Sequence, residues 1–564
     1  MATMIKCFGD SGLQSAAQKD SIKKDDIHRE LRINKRYLNM PVKNGASKRC
    51  VDICLDGKKV RQFEIELPAM SEKPDFWIFL DVAEFKNKIL TVQLLDANNV
   101  DPNVLSSLTL DDQIKGSETM YHEKLRPQFH FTSRRGWNND TNGLVYYNGE
   151  YHLFYQHNPY GSKWGNMTWG HAVSKDLVHW TELSDALHPD ELGTIFSGSA
   201  VVDWKNTSGF QTGSEKALVC AYTSAGGTNV WSEGKPFTQS IAYSNDNGRT
   251  WSKYENNPVL GHIVGGNRDP KVIWNDQKNE WVMALFLDGT TYCLLTSPDL
   301  KKWKRICDIN MPGCSECPDF FPLAVDGDST KMKWVFWTAS GKYVLGDFDG
   351  NAFMKTSEII PCYAIGSNVY AGQTWSDIPA SDGRRIHCAW MQQEMPGMPF
   401  NQMLTFPVEL TLRTTQEGIR IFTEPVKEIK RLHDKAYVFD ETSLVKDSKQ
   451  IEEINSELMH IRGEFLINDG TCGFSLNGVN LVYNSKTQEL GCLNLHAKLN
   501  PVNGKIQLEI LIDRTSLEIF ANDGLVYMPI GRLLVKNKKS ISIIRTGDTK
   551  VNKVEIFELK SAWR

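Results

Sequence analysis

Tyr151-His-Leu-Phe-Tyr-Gln156 is the first of five similar stretches, and the spacing of the five decides the fold. Ala217-Leu-Val-Cys-Ala-Tyr-Thr223, Trp281-Val-Met-Ala-Leu-Phe286, Lys333-Trp-Val-Phe-Trp-Thr338 and Arg385-Ile-His-Cys-Ala-Trp390 follow it, with starts 66, 64, 52 and 52 residues apart. Each is short, apolar and rich in aromatic and β-branched residues, the composition of a buried strand. A second signal falls between them. Ser174-Lys-Asp-Leu-Val-His-Trp180, Ser244-Asn-Asp-Asn-Gly-Arg-Thr-Trp251 and Ser297-Pro-Asp-Leu-Lys-Lys-Trp303 are polar turns closed by tryptophan, the middle one close to an Asp-box. A repeat of about 50 residues made of short strands predicts propeller blades, and five copies predict five blades. One large sandwich is the competing arrangement, although its strands need not recur at this spacing. In a propeller the innermost strands converge on one axial pocket, so residues far apart in sequence can meet there.

Outward from the repeat, the chain divides into four. Residues 1–30 are polar, with a charge-rich run over Gln18–Glu30, and predict disorder. Residues 31–120 alternate apolar and polar at Val51, Ile53 and Leu55 and at Phe63, Ile65 and Leu67, with Gly57 as a hairpin turn, which predicts a small β-sandwich. Residues 121–425 hold the repeats. Residues 426–564 return to alternating strands around Leu508–Asp513, Leu517–Phe520 and Ile541–Ile544, with the turn Asn522-Asp523-Gly524, and predict a second β-sandwich. The fold class is therefore all-β.

The formal charge of −4 and the absence of a Lys/Arg stripe exclude a nucleic-acid footprint. No apolar run is long enough to span a membrane. Met1 to Glu30 has no signal-peptide core, so the chain is either cytoplasmic or begins after a removed signal. Among 12 cysteines the closest pair is Cys314-Ser-Glu-Cys317; without a second pair or nearby histidines it does not predict a metal site. The 16 Trp and 17 Tyr suit carbohydrate surfaces, and equally a β core.

Three acidic residues of the repeat region share their surroundings: glycine before, a strand after. Asp140 lies in Arg134-Arg-Gly-Trp-Asn-Asn-Asp-Thr-Asn-Gly143, Asp269 in Gly265-Gly-Asn-Arg-Asp-Pro-Lys271, and Glu316 in Gly313-Cys-Ser-Glu-Cys-Pro-Asp319. Alone, each reads equally as a turn carboxylate, and the first stretch as a turn with an Asx cap. Together they sit in equivalent positions of successive blades. Glycoside hydrolysis needs one carboxyl to attack the anomeric carbon and one to protonate the leaving oxygen, with pKa values pushed apart. The amides of Asn138, Asn139 and Asn142 predict an ionised Asp140. The cysteines, Pro318 and Phe320 around Glu316 predict a less polar spot and a raised pKa, and Arg268 predicts a charged Asp269 that binds hydroxyls.

Trp137–Gly143, Arg268-Asp-Pro270 and Glu316-Cys-Pro318 resemble the three signature motifs of glycoside hydrolase family 32, the invertase, inulinase and levanase family. Phe154–Pro159, Trp164–His171, Phe196–Ser199, Tyr370–Trp375 and Asp513–Phe520 agree with it. The segment from Arg36 to about Asn99 also resembles an N-terminal accessory β domain of bacterial fructan hydrolases. The resemblance implies a five-bladed propeller followed by a β-sandwich and retaining hydrolysis of β-fructofuranosidic bonds in fructans or sucrose, with no metal or organic cofactor. It implies Asp140 as nucleophile, Glu316 as acid/base and Asp269 as transition-state stabiliser, with Asn139, Gln156, Trp164, Phe196, Ser197 and Arg268 lining the fructose pocket. It favours a periplasmic or extracellular location, with cytoplasmic as the alternative. Asn138 and Thr141 stand where the family usually has Met and Pro, and each could add a polar contact near the bound sugar. Fructosyl transfer would use the same residues, a fructan-binding module would not need the acid beside the nucleophile, and the Glu-Cys-Pro triplet disfavours an arabinan- or xylan-cleaving propeller. The insert Ala225–Pro236 is expected to wall one side, which favours exo over endo action.

Overall fold

Each of the five repeated stretches is the second strand of an antiparallel blade in the computed structural model, which describes residues 27–95, 97, 100–446, 451, 454–534 and 540–563. The blades begin at the strands Gly136–Tyr147, Thr194–Val202, Arg268–Asn275, Asp319–Val325 and Val369–Thr374, and these five are the innermost strands. Their partners are Glu150–Asn158, Leu218–Ala225, Glu280–Asp288, Asp328–Trp337 and Arg385–Met391; most of their length is apolar and buried because neighbouring blades cover both faces, except in Asp328–Trp337, where only the end Val335–Trp337 is buried and the first half is polar and exposed. The tryptophan-closed turns join the third and fourth strands of blades one to three. In each, a Ser hydroxyl donates to an Asp carboxylate, and the Trp indole donates to a carbonyl three residues back.

The ring closes between blades five and one. Phe400–Asn401 pairs in parallel with Gly136–Trp137, and Tyr146 N donates to Ser376 O at 2.9 Å. Blade five is tied to blade four by Val325 opposite Leu412, and Asp326 accepts from the amide and hydroxyl of Thr414. Near the axis, the buried Lys271 ammonium lies 3.4 Å from Asp319 and donates to Thr374 O at 2.7 Å, which binds blades three, four and five.

The C-terminal sandwich is built on two long strands, Met459–Leu476 and Ile541–Leu559, paired along their length. Gly470 faces Gly547 in that ladder, and a Cβ on Gly470 would lie 1.9 Å from Thr546 O. The ladder bends there, so one half pairs with Lys505–Asp513 and the other with Val479–Asn484. Ile461, Phe465, Phe474, Leu481, Ile510 and Ile519 form the core between the layers. The sandwich docks on the propeller through His130, whose two ring nitrogens lie 2.9 Å from Asp513 and 2.8 Å from Glu518, all three side chains fully buried.

The N-terminal unit is a sandwich of a four-stranded and a three-stranded sheet around Leu38, Val51, Ile53, Phe63, Ile78 and Val92. Of the expected disorder over residues 1–30, residues 1–26 lie outside the described residues. His28–Arg32, by contrast, is an edge strand pairing with Ile89–Gln93. Charge misled there: Leu31 points into the core and the Arg29 guanidinium donates to Leu105 O and Leu108 O at 2.8 Å.

Candidate active site

The stretch expected to be a turn, Arg134–Gly143, runs from Gly136 as the start of an inner strand. The glycines still carry positive φ, 84° at Gly136 and 52° at Gly143, but as irregularities within the strand. The register slips between Asn138 and Thr141. Similar slips occur near the same end of three other inner strands, at Phe196/Gly198, Arg268/Lys271 and Tyr370/Gln373. A bulge turns a side chain that would stay in the pleat out toward the axis. Asp140, Ser197, Asp269 and Ala371 occupy these bulges. In the fourth blade Glu316 (φ 59°) and Cys317 (φ 39°) do the same just before the strand begins. Asp269 also sits at φ 65°, so two of the three carboxylates are carried on left-handed backbone, which L-residues occupy sparingly.

The three carboxylates form one cluster. Asn139 Nδ2 donates to Asp140 Oδ1 at 2.9 Å and Ser197 Oγ to Asp140 Oδ2 at 2.7 Å. Trp137 Nε1 orients Asn139 by donating to its Oδ1 at 2.9 Å. The Cys317 thiol lies 3.7 Å from Asp140 Oδ2 and 3.5 Å from Asp269 Oδ2, and the Cys317 amide donates to Asp269 at 3.1 Å. Arg268 bridges the remaining pair, with Nη2 2.7 Å from Glu316 Oε1 and Nε 3.8 Å from Asp269 Oδ2. Tyr370 donates its hydroxyl to Glu316 Oε2.

Burial works against the expected charge at both aspartates. Burial pushes the Asp140 carboxyl up against the opposing bonds from Asn139 and Ser197. Burial also raises Asp269 to about 7, with Arg268 pulling it down and Glu316 and Asp140 adding to the rise. Burial thus pushes both aspartates up. The surroundings of Glu316 are polar: its carboxylate is shared between a guanidinium and a phenol and is a third exposed. Arg268 makes its short contact with Glu316, so it only partly offsets the burial of Asp269.

Of the expected pocket residues, Asn139, Ser197 and Arg268 touch the carboxylates directly. Trp164 is 53% exposed, with its ring edge-on to Phe196 at 6.1 Å, and Phe196 is in turn edge-on to Phe237 at 5.4 Å. Gln156 stands behind this layer: it is buried and donates to Ile195 O at 2.9 Å. Asn138 and Thr141 turn their polar groups to the protein itself. Both are buried. The Thr141 hydroxyl donates to Ala371 O at 3.0 Å, with Cys388 O also near, and the Asn138 amide faces the backbone of Asn401 and Gln402. Their polarity serves the join between blades one and five. Sequence reasoning missed Cys317 and Tyr370 as members of the site. Both lie in stretches it had singled out, but only the backbone path shows their side chains turned to the carboxylates.

The chain matches the family model of the glycosyl hydrolases family 32 N-terminal domain over residues 130–425 and that of the family 32 C-terminal domain over 468–556. It is 39% identical to a levanase of Bacillus subtilis over 492 residues, 78% of this chain and 72% of that protein. An extracellular exo-inulinase of Aspergillus ficuum is 28% identical, over 78% of this chain and 96% of the relative. The crystal structure of exo-inulinase from Aspergillus awamori superposes with a TM-score of 0.69 at 26% identity, covering 78% of this chain and all of that one.

Proposed function

The chain belongs to glycoside hydrolase family 32, and we propose that it hydrolyses β-fructofuranosidic bonds of fructans and sucrose with Asp140 as nucleophile, Glu316 as acid/base and Asp269 as the carboxylate that holds fructose hydroxyls. The observation that carries this reading is the single hydrogen-bonded cluster of three carboxylates supplied by three different blades. Asp140 attacks the anomeric carbon as protonated Glu316 gives its proton to the glycosidic oxygen, and that carbon–oxygen bond breaks. Water then gives a proton back to Glu316 and attacks the same carbon, which releases fructose and frees the Asp140 carboxylate. The bonds from Asn139 and Ser197 favour the ionised, attacking form of Asp140. Arg268 and Tyr370 fix the Glu316 carboxylate in place. Asp269, buried and titrating near neutrality, exchanges its desolvation for hydrogen bonds when sugar hydroxyls arrive.

We infer exo action from the exposed Trp164 and the insert 225–236, which lie beside the aromatic row next to the cluster. A time course on levan, inulin and sucrose tests it. Fructose alone from the first minutes is expected; a ladder of oligosaccharides means internal cuts, and longer fructosides at high sucrose mean transfer. Secretion accords with the extracellular inulinase among its relatives, and among the described residues no helix is long and apolar enough to cross a membrane.

Ser197→Ala removes one donor to Asp140 Oδ2. The Asp140 pKa then rises further, so the acidic limb of the kcat/KM profile moves to higher pH. One net hydrogen bond corresponds to roughly half to one pH unit. An unmoved limb would mean that Asp140 does not set it.

A further inference from the structure

The N-terminal sandwich meets the propeller along its edge strand Lys58–Glu66, and two loops that flank Phe196 rest on that strand. The first is the loop 159–166, which carries Trp164. Phe63 stacks face to face on Tyr160, centroids 3.7 Å apart and planes within 4°, both rings buried. Glu64 N donates to Asn166 Oδ1 and Asn166 Nδ2 donates to Glu64 O, each at 2.8 Å, so the Asn166 amide caps an otherwise unpaired stretch of sheet edge. Glu66 pairs with Lys163 at 3.0 Å, and Asn44 accepts from the Ser162 hydroxyl at 2.9 Å. The second is the insert 225–236. Gln62, held by its own bond to Asp52, accepts from Trp231 N at 2.7 Å. The Lys59 ammonium lies 5.3 Å from the centre of the Trp231 ring. Both loops converge on one aromatic row, Trp164–Phe196–Phe237, and Ser197, next to Phe196, bonds Asp140.

We propose that the edge strand Lys58–Glu66 is a positioning element of the fructan site, with Phe63 its principal residue: it pre-orders the Trp164 loop and the insert so that substrate does not have to. The proposal rests on the functional reading above and gives the accessory sandwich a role in substrate affinity. Ordering a loop costs conformational entropy, and a brace that meets this cost in advance appears in KM while leaving the carboxylates, and hence kcat, alone. A cleft of about 750 Å³ also lies between the sandwich and the propeller. Its charged walls are paired within the protein, as Arg36 with Asp81, Arg61 with Glu84 and Lys253 with Asp190, so it does not compete as the site of this effect.

The test compares Phe63→Ala, Phe63→Tyr and Trp164→Ala in the full chain on inulin and on levan. Phe63→Ala is expected to raise KM about tenfold with kcat within about twofold. Phe63→Tyr, which keeps the stack, should restore KM. In a Trp164→Ala background Phe63→Ala should add nothing, because both act through one loop. An unchanged KM in Phe63→Ala, or effects of the two substitutions that simply multiply, overturns the proposal. If Phe63→Ala does not fold, Asn166→Gly opens the same brace while tolerating the φ of 47° there, and the same KM comparison decides. A wild-type chain that cleaves no β-fructoside would instead remove the functional reading itself.

Discussion

Asp140→Asn is expected to lower kcat by at least about 10⁴-fold while leaving the fold intact, the scale seen when a covalent nucleophile is removed from a preorganised site. The amide is isosteric and can keep hydrogen bonds with Ser197 and Asn139, but it cannot form and release a fructosyl ester. KM should change little, since the surroundings that would bind the sugar are untouched. Stability supplies the control. Burial raises the Asp140 pKa, and a carboxyl that binds its proton more tightly in the folded state loses stability as pH rises through its titration. A neutral amide is free of that penalty, so the variant should unfold no earlier than the wild type at neutral pH. Turnover near the wild-type rate would end the assignment, and lost activity with a collapsed melting temperature would not support it.

His130→Ala is expected to cost roughly 3–5 kcal/mol of stability, because it leaves Asp513 and Glu518 buried without their shared cation. Asp513 also accepts from the backbone amides of Gln128 and Phe129, and Glu518 from that of Phe406, so these side chains cannot move out to water without undocking the sandwich. Burial alone would lower the His130 pKa; the bonds to Asp513 and Glu518 outweigh it and raise it to about 9. Such a histidine stabilises the fold fully below its unfolded value near 6.5, and the contribution is lost as pH climbs through about 9. Asp513 is held below its ordinary pKa and works in the opposite sense, losing its contribution as the solution turns acid. Denaturation midpoints measured from pH 6 to 10 should fall for the wild type across that window and vary less for His130→Ala. Parallel profiles would show that His130 does not titrate there.

The blades were legible because their second strands are buried on both faces and therefore spell out apolar runs at a blade-length spacing. The three acids were legible because glycine before and strand after recur around each. The bulges were not, because a register slip is a relation between two strands and only one of them is visible in any stretch. The direction of Asn138 and Thr141 was lost for the same reason: one slip turns Asp140 to the axis and leaves Thr141 against Ala371. The rise at Asp269 was not legible because sequence neighbours stand in poorly for spatial ones. Arg268 adjoins Asp269 in the chain but makes its short contact with Glu316, brought from another blade. The edge strand at His28 escaped because the carbonyls that satisfy Arg29 come from residues far along the chain.

The central claim is that Asp140 becomes covalently bonded to fructose. The most direct measurement is acid-quenched peptide mass mapping of Glu316→Gln after mixing with an activated β-fructoside whose leaving group needs no proton, since that variant should form the ester and hydrolyse it slowly. The account predicts the added mass of one fructosyl unit on the peptide containing Asp140. That mass on the peptide of Asp269, or continued turnover with no adduct on either, would contradict it.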